Sequence, residues 1–341
     1  MGKTRSAPTL NDVAKASGVS TATVSRCLNS PERVIETTRK RVLQAVKTLG
    51  YTPNFAAQVM AANRSFTIGA IIPTMDNAIF ARGLQEFQDQ LRESGYTLLV
   101  SSSAYDPEVE REQIRTLVAR GADGLLLIGH ARDADVYAYL ERHQVPSLVA
   151  WSYDPHMHPP SVGFGNAAAM GELAQSVISA GHRHIAMISG NTQGNDRAQA
   201  RVEGVLRAMD ENGLDANSLA LIETTYEIEK GAEAFDQLMS LSPRPTVVMC
   251  GNDVLAAGAL RQADLMGISV PEQVSVTGFD DIELAEVVSP ALTTVHVPHR
   301  EMGRKAAREL IAMVEGKSEG RSICIDTRLV NRGSLAKPPR Q

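Results

Sequence analysis

Residues 9–29 read TLNDVAKASGVSTATVSRCLN, and the spacing within this stretch decides the fold of the N-terminus. Leu10, Val13 and Ala14 recur at i, i+3 and i+4, which puts them on one face of a helix. Thr9 precedes that helix and Asp12 follows three residues later, the sequence form of a reciprocal N-terminal cap. Gly18-Val19-Ser20 makes a tight break, and Ser20 can cap a second helix, Thr21 to Leu28, that buries Val24 and Leu28. A third helix, about Glu36 to Leu49, is expected to bury Val42, Val46 and Leu49 and to stop at Gly50. Ile35 precedes it, so it lacks a Ser/Thr cap. Helix, glycine turn, helix is a DNA-reading layout, although spacing alone also fits a plain helical hairpin. The second helix decides between them. Thr21, Ala22, Thr23, Ser25 and Arg26 project away from Val24 and Leu28; small hydroxyls suit phosphates, and Arg26 can give two hydrogen bonds to a guanine edge.

Charge is distributed to match. The chain carries −5 overall, but Met1–Ser65 holds ten Lys/Arg against three Asp/Glu, or +7, which leaves −12 for the rest. A basic module on an acidic body points to nucleic acid. Cys27, Cys250 and Cys324 are far apart and lack metal-ligand spacing, so they are expected in a reducing compartment as small apolar residues. No apolar leader segment and no long apolar run occur, so a cytoplasmic protein without a membrane span is expected.

Beyond Phe66 the pattern changes to strands alternating with helices. Apolar strand candidates are Thr67–Ile72, Thr97–Ser101, Gly124–Ile128, Ser147–Ala150, Ile185–Ser189, Thr246–Cys250 and Ser275–Gly278. This alternation predicts an α/β body with parallel sheets, preceded by the all-α headpiece. Residues 54–62, starting at Asn54, are too few to hold a helix alone in water.

The chain resembles the lac repressor family. TLNDVAKASGVSTATVSRCLN and TRKRVLQAVKTLGYTPNFAAQVM look like that family's headpiece and hinge, and IGAIIP, GADGLLLIG, GHRHIAMISG, CGNDVLAAGAL, GFDDIELA and PALTTVHVP continue the match in order. The resemblance implies a helix-turn-helix headpiece over residues 1–53, a hinge helix and linker over 54–65, and a periplasmic-binding-protein-like type I core over 66–341. That core would be two doubly wound parallel-sheet subdomains, about 66–163 with 293–322 and about 164–290 with 323–335. It further implies that Thr21, Ala22 and Arg26 read bases, that Leu10, Ser20, Ser25 and Asn29 contact phosphates, and that the hinge orders on operator DNA. There an apolar residue of the hinge wedges into the minor groove; Met60 stands at that position.

For the core, the resemblance implies an effector cleft at the carboxyl ends of the strands. Phe80 matches a ring-packing position, Arg201 a ligand-clamping arginine, Asn252 a hydroxyl-binding side chain, Asp280 an acceptor of hydroxyl protons and Tyr226 an aromatic lid. Trp151, the only tryptophan, and His130 are further candidates. Where the family carries an acidic residue after the SVGF-type strand, this chain has Gly165 and then Asn166. Loss of that carboxylate beside a retained arginine favours an anion such as a sugar acid over a neutral sugar, in the manner of the gluconate-repressor-like branch.

Other motifs carry less. Gly163-x-Gly165-x-x-Ala168 lacks the downstream acid of a dinucleotide site, and Gly2-Lys3-Thr4 and Gly316-Lys317-Ser318 lack the upstream glycine of a phosphate loop. His156-Met157-His158 and His182-x-His184 offer two ligands each, too few for a metal, and no nucleophile elbow occurs. The expectation is a homodimeric, effector-controlled repressor of carbohydrate or sugar-acid genes. It binds a palindromic operator on double-stranded DNA and a sugar or sugar-acid effector, without catalysis, cofactor, metal or membrane. A sugar-binding transport protein is the alternative, and the basic headpiece argues against it. No leucine heptad stands near GSLAKPPRQ, so a dimer is expected rather than a tetramer.

Overall fold

A computed structural model describes residues 7–29, 31–52, 64–76 and 78–339, and the chain divides into two units, 1–66 and 67–341. In the first, α1 (Leu10–Ser17), α2 (Thr21–Asn29) and α3 (Glu36–Leu49) surround one small core. Val13, Ala14, Val24, Cys27, Val42 and Ala45 are buried in it, with Leu10, Leu28, Val46 and Leu49 packed around them. Glycines in the left-handed conformation, Gly18 and Gly50, close α1 and α3. The Ile35 cap of α3 makes no side-chain bond, as its sequence requires.

The second unit begins with β1 (Thr67–Ile72), α4 (Ala78–Glu93), β2 (Thr97–Ser102), α5 (Pro107–Ala119), β3 (Gly124–Ile128), α6 (Ala134–Arg142), β4 (Ser147–Ala150) and β5 (Ser161–Gly163). It continues through α7 (Asn166–Ser179), β6 (Ile185–Gly190), α8 (Asp196–Glu211), β7 (Ala220–Thr224), α9 (Ile228–Met239), β8 (Val247–Cys250), α10 (Asp253–Leu265) and β9 (Ser275–Thr277). It ends with α11 (Leu284–Val287), β10 (Thr294–His296), α12 (His299–Val314), β11 (Ile323–Cys324) and β12 (Arg328–Val330). A six-stranded parallel sheet runs β11-β5-β4-β3-β1-β2 and a four-stranded parallel sheet runs β7-β6-β8-β9; β10 and β12 form an antiparallel pair. Both faces of the larger sheet are covered: Leu126 packs in one core while its neighbours Leu125 and Leu127 pack in another. Such two-sided burial is why these strands read as continuous apolar runs.

The chain passes between the sheets after β5, before α12 and after β11. The expected subdomain boundary at 323 falls slightly early, because Ile323 and Cys324 still pair with Val162 and Gly163 in the larger sheet. Cys324 is also exposed, so the expectation of three apolar thiols holds only for Cys27 and Cys250. Strands β5, β7, β10, β11 and β12 fall outside the apolar candidates. They are two to five residues long, and β7 and β12 are half-buried edges.

Three helix pairs close on glycine. A Cβ on Gly303 (α12) would lie 2.0 Å from the Gly83 carbonyl of α4, one on Gly258 (α10) 2.0 Å from the Ile228 carbonyl of α9, and one on Gly204 (α8) 2.3 Å from the Ala167 carbonyl of α7. Backbone cannot give way as a side chain does, so one methyl forces the pair apart. We expect Gly303→Ala to destabilise the core unit by about 1–3 kcal/mol, the usual cost of overpacking. Thermal melting measures it, and an unchanged melting temperature would show that α4 and α12 separate freely.

Candidate functional site

The headpiece surface is built by its caps. Asp12 N–H donates to Thr9 Oγ1 (3.3 Å) while Thr9 N–H donates to Asp12 Oδ2 (2.9 Å), fixing the entry to α1. Thr23 N–H donates to Ser20 Oγ (3.2 Å), and the two hydroxyls lie 2.9 Å apart, fixing the entry to α2. With Val24 and Cys27 turned into the core, Thr21, Ala22 and Arg26 are exposed, and Thr23 and Ser25 are half-buried beside them. Leu10 packs its half-buried side chain against the headpiece core and stands at the start of α1. Asn29 ends α2; Asn54, Met60 and the hinge expected over 54–62 lie outside the described residues.

In the core unit, Phe80, Trp151, Arg201, Tyr226, Asn252 and Asp280 line one cleft. They arrive from both halves: Phe80 from α4, Trp151 from the end of β4, Arg201 from α8, Tyr226 from beyond β7, Asn252 from the cap of α10 and Asp280 from beyond β9. His130 is the exception. It is buried, but the cleft uses its backbone: His130 N–H donates to Asp196 Oδ2 at 2.7 Å, and neither ring nitrogen has a partner.

Arg201 is held by neutral oxygens. Its Nη1 donates to Asn166 Oδ1 (2.7 Å), its Nη2 donates to Tyr226 Oη (2.8 Å), and its guanidinium lies 5.1 Å over the Phe279 ring. The side chain is 8% exposed and its Nε is unpartnered. Asn166, from the start of α7, also donates through Nδ2 to the Trp151 carbonyl (3.0 Å). Asn166, beside the Gly165 that stands where the resemblance places an acid, thus gives Arg201 an amide oxygen and no charge. Asn252 divides its amide: Oδ1 accepts from Leu255 N–H (2.9 Å) as the helix cap, and Nδ2 is buried without a partner. Turn chemistry and a free donor coexist in that one residue.

Asp280 is 4% exposed and has φ 103°, a backbone region that L side chains rarely adopt. Burial pushes its carboxyl up to about 7, against the opposing pull of Arg201. His299 Nε2 stands 3.7 Å from Asp280 Oδ1. Its Nδ1 accepts from Trp151 Nε1–H (3.2 Å), which leaves the proton of the neutral ring on Nε2. Burial first, then the charges of Arg82 and His296, push His299 down to about 3, so the ring is neutral at physiological pH. Trp151 packs edge-on to Phe80, with ring centroids 5.3 Å apart.

Sequence reasoning missed Tyr105, Asn195 and Arg197 in the same cleft. Arg197 stands one helical turn before Arg201, and that i, i+4 spacing was the available signal. Arg197 Nη1 donates to the Ile128 carbonyl and to Asp196 Oδ1, both at 2.9 Å. Burial would raise the Asp196 pKa, but Arg197 and the His130 N–H outweigh it and hold the carboxyl below its usual value. Together Asp196 and Arg197 tie the start of α8 to the end of β3. Gly129 permits this at φ 72°, since a Cβ there would lie 1.8 Å from Arg197 Nη1. His182, one of the paired histidines, is bonded to Thr246 Oγ1 (2.9 Å) and the Ala336 carbonyl (2.8 Å), a structural arrangement.

Two family models match in the order this architecture requires: bacterial regulatory proteins of the lacI family over residues 9–54, and a periplasmic binding protein-like domain over 174–335. The chain is 34% identical over 316 residues to the HTH-type transcriptional repressor PurR of Vibrio cholerae, covering 92% of this chain and 94% of that one. It is 32% identical over 338 residues to the repressor CytR of Escherichia coli, covering 99% of both. A LacI-family transcriptional regulator from Silicibacter pomeroyi superposes with a TM-score of 0.86 at 29% identity, over 96% of this chain and 99% of that one. Among the described residues no helix is long and apolar enough to cross a membrane. Headpiece, core and near-full-length relatives agree: the chain belongs to the lacI family of bacterial regulatory proteins and is a DNA-binding transcriptional repressor.

Proposed function

We propose that this repressor binds a six-carbon sugar acid in the cleft of its core unit and changes its operator affinity in response. The observation that carries the reading is the Arg201 guanidinium, held by Asn166 and Tyr226 and by no carboxylate. Arg197 is balanced by Asp196, so the charge of Arg201 faces Asp280 alone. A planar guanidinium suits a carboxylate. Buried Asn252 Nδ2 offers a further donor, Asp280 meets hydroxyls, and Phe80 and Trp151 give the apolar walls on which a sugar face packs. The protein acts in the cytoplasm as a homodimer, each headpiece reading one half of a near-palindromic operator, and catalyses no reaction. Coupling between effector and operator sites is typically about 1–3 kcal/mol and is reciprocal.

On the DNA side, α2 reads bases through Thr21, Ala22 and Arg26, with Leu10, Ser20, Thr23, Ser25 and Asn29 against the backbone. Asn54 and Met60 belong to the hinge. Arg26→Ala should weaken operator binding by about 1–3 kcal/mol and relax preference at one position per half-site. Gel-shift titration against operator variants measures this; unchanged affinity would remove α2 from the reading surface.

On the effector side, D-gluconate or another six-carbon sugar acid should raise the melting temperature more than its parent sugar does. At about 100 times its dissociation constant a ligand stabilises by about 2.7 kcal/mol. Arg201→Ala should abolish the shift while the unliganded variant still binds DNA. A larger shift from a neutral sugar or a purine would overturn the sugar-acid reading and leave the repressor standing.

A further inference from the structure

Asp280 sits in the cleft with Arg201 as its one cationic neighbour, and its surroundings decide what happens when an anion arrives. Among the described residues neither of its carboxylate oxygens accepts a hydrogen bond, and the His299 ring beside it is neutral. The groups that face it are Arg201 from α8, Asp253 from α10, His299 from the start of α12 and Tyr105 from the loop after β2. Of these only Arg201 is cationic, and it is the same group that an entering carboxylate would seek.

The acid cannot escape by turning to solvent. Asp253 Oδ2 accepts from Ile282 N–H (2.8 Å) and Asp253 Oδ1 accepts from Thr294 Oγ1 (2.6 Å), which pins the turn on its far side. Neighbouring Asp281 is clamped by Arg332 Nη2 (2.7 Å) and His296 Nδ1 (2.8 Å). Asp280 N–H donates to the Val295 carbonyl (2.9 Å), holding the residue at its left-handed φ. With the turn fixed at three points, repulsion between two carboxylates in one buried pocket is relieved by protonation rather than by motion.

We propose that, wherever Asp280 is ionised in the free protein, an anionic ligand enters this cleft together with one proton, taken from solvent and held on the Asp280 carboxyl. The site then receives an acid equivalent rather than a bare anion, and Asp280 selects ligands by charge. As a neutral acid it donates a hydrogen bond to the ligand instead of accepting one. The inference rests on the sugar-acid reading of the same cleft.

The sign of the pH dependence follows. Burial pushes the Asp280 carboxyl up to about 7, and a bound anion raises it further. Affinity for the anion is therefore constant below the free value and falls above it, by up to about tenfold per pH unit. A ligand that instead donates hydroxyl protons to an ionised Asp280 would bind more tightly as pH rises through 7.

Calorimetric titration of the full chain with D-gluconate, in buffers of different ionisation heat, counts the protons. Between about pH 7.5 and 8.5 uptake should approach one per site, with affinity falling about tenfold. Asp280→Asn, which keeps a residue tolerant of positive φ, should bind D-gluconate with no proton uptake and unchanged affinity over that range. If that variant does not fold, the proton count on the natural chain decides alone. Binding without proton uptake, or affinity that is flat or rises with pH, overturns the proposal. Failure of every six-carbon sugar acid to bind overturns the ligand reading beneath it, and the proposal with it.

Discussion

One cation with neutral partners organises the effector cleft. Arg201 is buried, yet it is bonded to an amide oxygen and a phenol oxygen, so its charge is oriented without being cancelled. A buried charge in that state is costly unless something pairs with it. Nearby features follow from the arrangement. Asn166 must face both Arg201 and the Trp151 carbonyl, Tyr226 must lie over Gly190, where a Cβ would meet its ring at 2.2 Å, and Asp280 must remain within electrostatic reach.

The frame around that cation is made of contacts between the two halves of the core unit. Asp196 and Arg197 engage the backbone at Ile128 and His130, and Arg82 pairs with Glu283. The Trp151–His299–Asp280 row joins the end of β4 to the start of α12 and the turn beyond β9. These polar and aromatic contacts stand beside an apolar cluster that runs through both halves, from Ile68 and Leu126 to Leu173 and Met187. Such junctions reorganise when a ligand replaces one of their partners, and this is the physical basis for a cleft that reports on its contents.

Much of this was legible in the sequence. The capping box at Thr9 and Asp12, the glycine stops at Gly18 and Gly50 and the core strands of both sheets each rest on local rules of spacing or capping. Six of the seven candidate cleft residues line one cleft: Trp151, Tyr226 and Asp280 follow strand ends, while Phe80, Arg201 and Asn252 come from helices or a helix cap. His130 went astray because a residue at a strand end can offer its backbone instead of its ring, and no pattern distinguishes the two. Arg197 shares a helix face with Arg201, a spacing that was there to be read, but its contact with the Ile128 carbonyl beside Gly129 is a long-range pairing that local periodicity does not contain. The exposed Cys324 and the short strands β10 to β12 belong to the same class, being set by tertiary neighbours alone.

Placing a carboxylate beside Arg201 tests the central claim most directly. In Asn166→Asp the new side chain would stand where Oδ1 now accepts from Arg201 at 2.7 Å, and would cancel the charge on which anion binding depends. Dissociation constants for D-gluconate and D-glucose follow from the fluorescence of Trp151, the only tryptophan and a wall of the cleft. The account predicts that D-gluconate binding weakens by about tenfold or more while D-glucose binding does not weaken in proportion, since pairing a cation costs only a ligand that needs it. D-gluconate bound by the variant as tightly as by the natural chain would contradict it.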